Sequence, residues 1–284
     1  MSGTFRIKET ERIRLIMIEV INVSKTYGKV PALSNISFNV NRGEVLGIAG
    51  LNAAGKSTLI SIISGILKPD IGAVLHENVN IFDTRSRPLK IGYVPQEIAL
   101  FDDLSVIDNL NFWAAAGGKP RAASGLQSRD SRIKNALRRC SLEEHRKKKI
   151  LTLSGGFKRR ANIAAALVLD PDVLIMDEPT AGLDSKNRRD ILIFIYNLAC
   201  ERPGPDNEPL TVIFTSHQAG EFELICNRII LLDKGKIAYD GNISQMTGYF
   251  SDILIKNGIK MNSSMNSITI DDILYMLGSV DDFE

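Results

Sequence analysis

Two short stretches carry residues whose types and spacing suit them to handling a phosphate. The first, GLNAAGKST at residues 50–58, fits the pattern G-x-x-x-x-G-K-[ST] with Gly50, Gly55, Lys56 and Ser57. Such a loop surrounds an anion with successive backbone N–H groups and opens into a helix N-terminus, whose amides lack intrahelical partners. Leu51, Asn52, Ala53 and Ala54 would contribute backbone to that cradle. Lys56 would reach the β- and γ-phosphates, the Ser57 hydroxyl would bind Mg²⁺, and Thr58 would add a hydroxyl or amide contact.

The second stretch, VLIMDE, ends in Asp177 and Glu178. Open α/β sheets bind ligands beyond the carboxyl ends of their strands, so Asp177 would hold Mg²⁺ through water there. Glu178 beside it would be the general base for an attacking water. A salt-bridged acidic pair at a strand end is the plainer reading of these two residues alone.

These chemistries need particular elements around them. MIEVINVSKTYG and ISFNVNRGEVLGIAG are rich in β-branched residues and bounded by glycine, so both read as strands, the second leading straight into the Gly50 loop. KSTLISIISGIL then places Leu59, Ile62, Ile63 and Ile66 on one helical face, with Gly65 and Pro69 as stop signals. The order strand, glycine-rich loop, helix is the one a phosphate cradle requires. IGYVPQ (91–96) is a further short strand, and DVLIMDEP and LTVIFTSH read as buried parallel strands. RRDILIFIYNLAC is a helix between them, and RIILLDKGKIAYDG reads as a hairpin about Lys234–Gly235. Residues 97–165 are helical in pattern with a polar interruption at 117–131. Strands alternating with helices imply a parallel sheet covered on both faces.

The 284 residues are 44% hydrophobic and 24% charged, which is ordinary for a globular protein. A net charge of +2 gives no global field for nucleic acid. The run HRKKK (145–149) has no interleaved aromatics to stack on bases and reads as a solvated helix end. Cys140, Cys200 and Cys226 have no metal-ligand spacing and read as reduced, mostly buried thiols. No apolar run approaches the roughly 18–20 residues of a membrane span. Residues 1–16 lack an apolar signal-peptide core and are expected to form a flexible extension.

The stretch LTLSGGFKRRANIAAALVLDPDVLIMDEPTAGLD adds Ser154, Gly155 and Gly156 at the head of a helix, another N-terminus suited to a phosphate. From about residue 17 to 245 the chain resembles the nucleotide-binding subunit of an ATP-binding-cassette (ABC) transporter. LSGG (153–156) is similar to that family's signature motif, AGLD (181–184) to its D-loop, Gln96 to its Q-loop residue and His217 to its switch histidine. Tyr27 resembles the aromatic residue that stacks on adenine. Taken alone, His217 would be a polar cap and Gln96 a turn residue. The motifs stand in family order.

The resemblance implies a P-loop NTPase (RecA-like) α/β core with a mainly parallel sheet, an N-terminal antiparallel β portion and an inserted α-helical subdomain. It assigns residues 17–245 to the ATPase domain, about 97–165 to the helical subdomain and 246–284 to a short C-terminal extension. It further implies Mg²⁺-dependent ATP hydrolysis by a head-to-tail pair of cassettes, a homodimer or a pairing with a second cassette subunit. Ser154 and Gly156 of each would meet the partner's nucleotide, and Asp184 would face the seam. Gln96, as a Mg²⁺ contact, and His217 would meet the γ-phosphate region once that pair closes. A separate transmembrane permease would hold the chain at the inner face of the cell membrane, and nucleic acid is not an expected partner. In such subunits the segment 99–116, with Phe101, Leu104, Phe112 and Trp113, is where the permease docks, although these residues would serve equally as core.

Two residues depart from the family pattern, Ala53 for a glycine and Phe157 for a glutamine. A methyl at residue 53 restricts the backbone beside the phosphates. Replacement of that glutamine, followed by KRR, is similar to cassettes of drug, lipid and polysaccharide exporters, as is the tail at 266–279. The expectation is therefore export. The alternatives are a soluble cassette acting as a conformational switch on nucleic acid or ribosomes, and an ATP-binding regulator with little hydrolysis. Glu178→Gln is expected to keep ATP binding while turnover falls at least about 100-fold, the lower end of what a general base contributes. Unchanged hydrolysis in that variant would show that Glu178 is not the base.

Overall fold

The computed structural model describes residues 16–83, 91–117, 128–201, 209–256 and 272–273. The expected extension at 1–16, apart from Ile16, and the tail at 266–279, apart from residues 272–273, lie outside these.

The N-terminal strands β1 (Ile16–Tyr27) and β2 (Val30–Asn41) form an antiparallel sheet with β4 (Ile71–His76) and β5 (Val79–Asn80), in the order β2-β1-β4-β5. The stretch expected as one strand running into the Gly50 loop is two. A turn at Arg42–Gly43, with Gly43 at φ +73°, separates β2 from β3 (Val45–Gly50) and sends them to different sheets. Strand β3 joins β6 (Ile91–Val94), β7 (Val173–Met176), β8 (Thr211–Thr215), β9 (Arg228–Asp233) and β10 (Lys236–Asn242) in the order β10-β9-β3-β8-β7-β6. All pairs in this sheet are parallel except β9–β10, the hairpin expected about Lys234–Gly235. Lys234 and Gly235 take φ +44° and +75°, the pair of left-handed residues a tight hairpin uses. Strands β4 and β5 carry no motif, and the pairing of β4 with β1 and of β5 with β4 is a feature that reading the sequence missed.

Helix α1 (Lys56–Ile63) follows β3, and α2 (Val106–Ala116), α3 (Arg129–Arg139) and α4 (Gly155–Leu167) lie between β6 and β7. Helix α5 (Ser185–Cys200) joins β7 to β8, α6 (Ala219–Ile225) joins β8 to β9, and α7 (Ile243–Lys256) follows β10. Helix α2 ends at Ala116, next to the expected start of the polar interruption, most of which (118–127) lies outside the described residues, and α3 already starts at Arg129, capped by the Ser128 hydroxyl. Helix α1 is shorter than its apolar pattern. Gly65 turns the chain at φ +76°, so Ile66, expected on the buried face, is 63% exposed.

The six-stranded sheet is buried on both faces, as a parallel sheet must be. Along β7, Leu174 and Met176 join one core cluster with α4, α5 and α6, while Val173 and Ile175 join another with α1 and the antiparallel sheet. The same alternation splits Phe214 from Ile213 on β8 and Leu231 from Ile230 on β9. Two cysteines are buried as expected, Cys140 and Cys226, and Cys200 is exposed. Burial pushes the Cys140 thiol up to about 12.

The fit of α6 on β3 depends on one missing side chain. A Cβ at Gly47 would come 2.4 Å from Cδ1 of Phe222, whose ring stacks on Phe214 at 5.4 Å and has no exposed surface. Neither ring can swing aside without displacing core. Gly47→Ala is therefore expected to cost about 1–3 kcal/mol of stability, read as a lower urea midpoint, as overpacked cores do.

Candidate functional site

The parallel register brings the expected residues together. Val94 pairs with Met176, Met176 with Phe214, and Ile48 with Thr215. Gln96, Glu178 and His217 each stand two residues beyond the ends of β6, β7 and β8, and Gly50 closes β3. One edge of the sheet thus carries all four. A cleft of about 790 Å³ opens there. Tyr27, Gly50, Leu51, Asn52, Ala53, Gly55, Lys56, Ser57, Thr58, Gln96, Glu178 and His217 line it.

The loop from Gly50 to Gly55 is forced into shape by its neighbours. A Cβ at Gly55 (φ +102°) would lie 2.6 Å from the Ala32 carbonyl oxygen, and one at Gly50 2.6 Å from that of Leu232. Ala53 takes φ +64°, a left-handed conformation that costs an L-residue roughly 1–2 kcal/mol. The methyl group therefore strains the loop. Ala54 differs from its neighbours: it is buried in the core and contributes backbone alone, accepting from Gly235 N–H at 3.1 Å. Gly55 is the N-cap of α1 and offers no side chain, so no cap occupies the amides at that end.

Lys56 is 7% exposed and its ammonium donates to the carbonyls of Gly50 (2.7 Å) and Leu51 (3.0 Å). Burial lowers its pKa, and the charges of Glu178 and Asp177 oppose that shift. The loop's own carbonyls thus hold the cation beside the cradle. Ser57 is exposed at the first turn of α1, and Tyr27 is 53% exposed at the end of β1.

Asp177 and Glu178 differ in setting. Asp177 is buried and accepts from the Thr215 hydroxyl at 2.6 Å, and that same oxygen accepts the Glu178 N–H at 3.0 Å. Thr215 has no exposed surface. It fixes both acids, and Glu178 takes φ +43°, a sparsely populated conformation for a side-chain-bearing residue and one that clusters at functional sites. The Gln96 amide donates to Glu178 Oε2 at 3.3 Å, and His217 Nδ1 lies 3.3 Å from Glu178 Oε1. Gln96 and His217 were expected to engage on closure of a dimer; within this single chain both already converge on Glu178.

Ser154, Gly155 and Gly156 are elsewhere. Ser154 is the N-cap of α4, yet its hydroxyl makes no cap bond. Ser154 and Gly156 line a separate cavity of about 510 Å³ with Phe157 and His145, whose rings meet edge-on at 4.2 Å. Asp184 caps α5 by accepting from the Asn187 N–H at 3.0 Å, and the Asn187 backbone and side-chain hydrogen bonds hold its carboxyl below the usual range. Lys147, Lys148 and Lys149 of the HRKKK run are exposed, as expected of a solvated segment. Phe101, Leu104 and Phe112 are exposed, and Phe101 and Phe112 meet edge-on at 4.9 Å, whereas Trp113 packs partly into the core.

Three positioning residues escaped the motif reading. Besides Thr215, Arg159 is 3% exposed and donates to the carbonyls of Pro95 (3.1 Å) and Gln96 (2.7 Å). Asn162, one turn on, bonds Glu97 and Ala99. A basic residue and an amide three apart in the alanine-rich ANIAAA helix were the available signal.

The model of the ABC transporter family matches residues 33–181, half of the chain. The linearmycin resistance ATP-binding protein LnrL of Bacillus subtilis is 40% identical over 222 residues, covering 78% of this chain and 68% of that protein. The methionine import ATP-binding protein MetN of Caulobacter vibrioides is 33% identical, covering 81% and 68%. Among solved structures, a dimeric post-hydrolysis state of the ATP-binding cassette MJ0796 bound to ADP and Pi superposes with a TM-score of 0.65 at 31% identity, covering 80% and 98%. A cassette fold with a phosphate cradle facing two strand-end acids defines an ATPase, and the chain belongs to the ABC transporter family as an ATP-binding and ATP-hydrolysing subunit. The soluble-switch and non-hydrolysing alternatives are not favoured by these relatives. Among the described residues no helix is long and apolar enough to cross a membrane.

Thr215→Val keeps the buried shape and removes the hydroxyl that holds both acids. It is expected to lower ATPase turnover about 10–100-fold, the usual cost of losing an outer-shell partner, with the melting temperature measured alongside.

Proposed function

We propose that this chain powers export through a separate membrane-spanning partner, working as a head-to-tail pair of cassettes with ATP at each seam. The observation that carries the pairing is the split of the phosphate-binding features between two cavities. The cleft at Lys56 holds the cradle and Glu178, while Ser154 and Gly156 line the other beside an uncapped helix end. Two chains placed head to tail complete each other's site. Asp184, capping α5, would then stand at the seam.

In this reading Tyr27 stacks on the adenine and the amides of residues 50–58, with Lys56, grip the phosphates. Ser57, Asp177 and Gln96 each offer a side-chain oxygen, a set suited to a hard cation such as Mg²⁺. Bound Mg²⁺ would neutralise charge on the phosphate oxygens. Glu178, pinned by Thr215 and flanked by Gln96 and His217, accepts the proton of the attacking water. The helices within 97–165 act as the inserted subdomain that carries the signature residues and receives the permease at the exposed Phe101, Leu104 and Phe112. Export rests on the likeness to LnrL and on Phe157 with its following KRR; the likeness to MetN, at lower identity, points to uptake.

The test is co-purification of the tagged chain from gently solubilised native membranes, with and without ATP. A stoichiometric polytopic membrane protein is expected. Recovery only in the soluble fraction with ribosomes or DNA overturns the transporter assignment, and a co-purifying extracytoplasmic solute-binding protein overturns export.

A further inference from the structure

Arg188 stands in the first turn of α5 and reaches three acceptors on two segments, the turn before α5 and the start of α6. Its guanidinium donates to the Leu183 carbonyl at 3.2 Å and to Gln218 Oε1, and its Nε lies 3.5 Å from Glu221 Oε1. Glu221, on α6, is 3% exposed and also accepts from the Thr180 hydroxyl at 2.6 Å. Thr180 follows Glu178 and Pro179, Leu183 precedes Asp184, and Gln218 follows His217. One cation therefore ties together the segment leaving the candidate base, the turn leading to Asp184 and the residue beside the candidate switch histidine.

The contact is not a closed salt bridge. At 3.5 Å the Arg188–Glu221 pair is attractive, but Arg188 Nε and Glu221 Oε2 are buried without a hydrogen-bond partner. A buried carboxylate with one unsatisfied oxygen is held in place by the cation's charge and by Thr180, so moving either segment changes the energy of the other. Arginine is suited to this because its planar fork presents several donors in fixed directions, which the point charge of a lysine cannot do.

We propose that Arg188 is a positioning residue for hydrolysis, setting His217 through Gln218 in register with the Asp184 turn. The inference rests on the assignment of Glu178 and His217 to the hydrolytic step. Nothing about nucleotide grip depends on Arg188, which is absent from the lining of the cleft. Its action is on turnover.

Three variants of the full chain test this, measured for steady-state ATPase and thermal unfolding: Arg188→Lys, Gln218→Ala and His217→Ala, with the pairwise doubles. Lysine keeps a positive charge beside Glu221, so the fold is expected to persist. The kcat of Arg188→Lys is expected to fall about tenfold with KM for ATP within about twofold, and Gln218→Ala, at a half-buried side chain, to fall in the same direction. In the His217→Ala background neither is expected to lower the residual rate further, because residues acting through one group do not multiply their losses. Parent turnover in both Arg188→Lys and Gln218→Ala overturns the proposal, as do losses that multiply with His217→Ala or a rise in KM at unchanged kcat. Full activity in His217→Ala alone overturns the assignment of the histidine, a distinct result that removes the premise. Should Arg188→Lys fail to fold, Gln218→Ala reads the same link.

Discussion

The parallel pairing of β3, β8, β7 and β6 is the constraint from which the site follows. Evenly spaced slanted ladders align the carboxyl ends of neighbouring strands, and here each of three strands delivers a candidate site residue two residues past its last pair. Because the sheet is buried on both faces, a slip of one residue in β7 would exchange Leu174 and Met176 with Val173 and Ile175 between two cores. Register is thereby fixed by packing, and the packing places Glu178 between Gln96 and His217.

That edge concentrates charge in a place water partly leaves. Lys56 and Asp177 are both buried, and each would be costly alone. The lysine is held by the Gly50 and Leu51 carbonyls and supported by the two acids, while Asp177 has the Thr215 hydroxyl. The arrangement has a cation turned onto its own loop. Backbone strain sits at the same edge, at Ala53 and Glu178, both in left-handed conformations that the surrounding contacts impose. The hairpin tip at Gly235 helps impose the first: its amide bonds the Ala54 carbonyl and its carbonyl accepts from Ser34, so it joins the loop to the antiparallel sheet.

The candidate site was legible because its motifs are local. GLNAAGKST encodes strand end, loop and helix start within nine residues, and glycine at Gly50 and Gly55 answers a backbone requirement that neighbouring carbonyls enforce. VLIMDE and LTVIFTSH announce their strand ends through continuous apolar runs. The split of β2 from β3 at Arg42–Gly43 was illegible, because the apolar residues on either side fit one strand as well as two, and sheet membership is settled only by distant partners.

What the sequence by itself determined was the inventory of reactive groups and the order of elements carrying them, since helix and strand periods and glycine conformations are properties of neighbouring residues. Tertiary structure alone decided which ordinary side chains would hold those groups. Thr215 reaches Glu178 across 37 residues, Arg159 reaches Gln96 across 63, and Arg188 reaches Gln218 across 30. Thr215 and Arg188 carry no spacing signal of their own, and the three-residue spacing of Arg159 and Asn162 does not name their partners. Their roles arise from burial beside a particular partner, and burial is a property of the closed sheet and its packed helices.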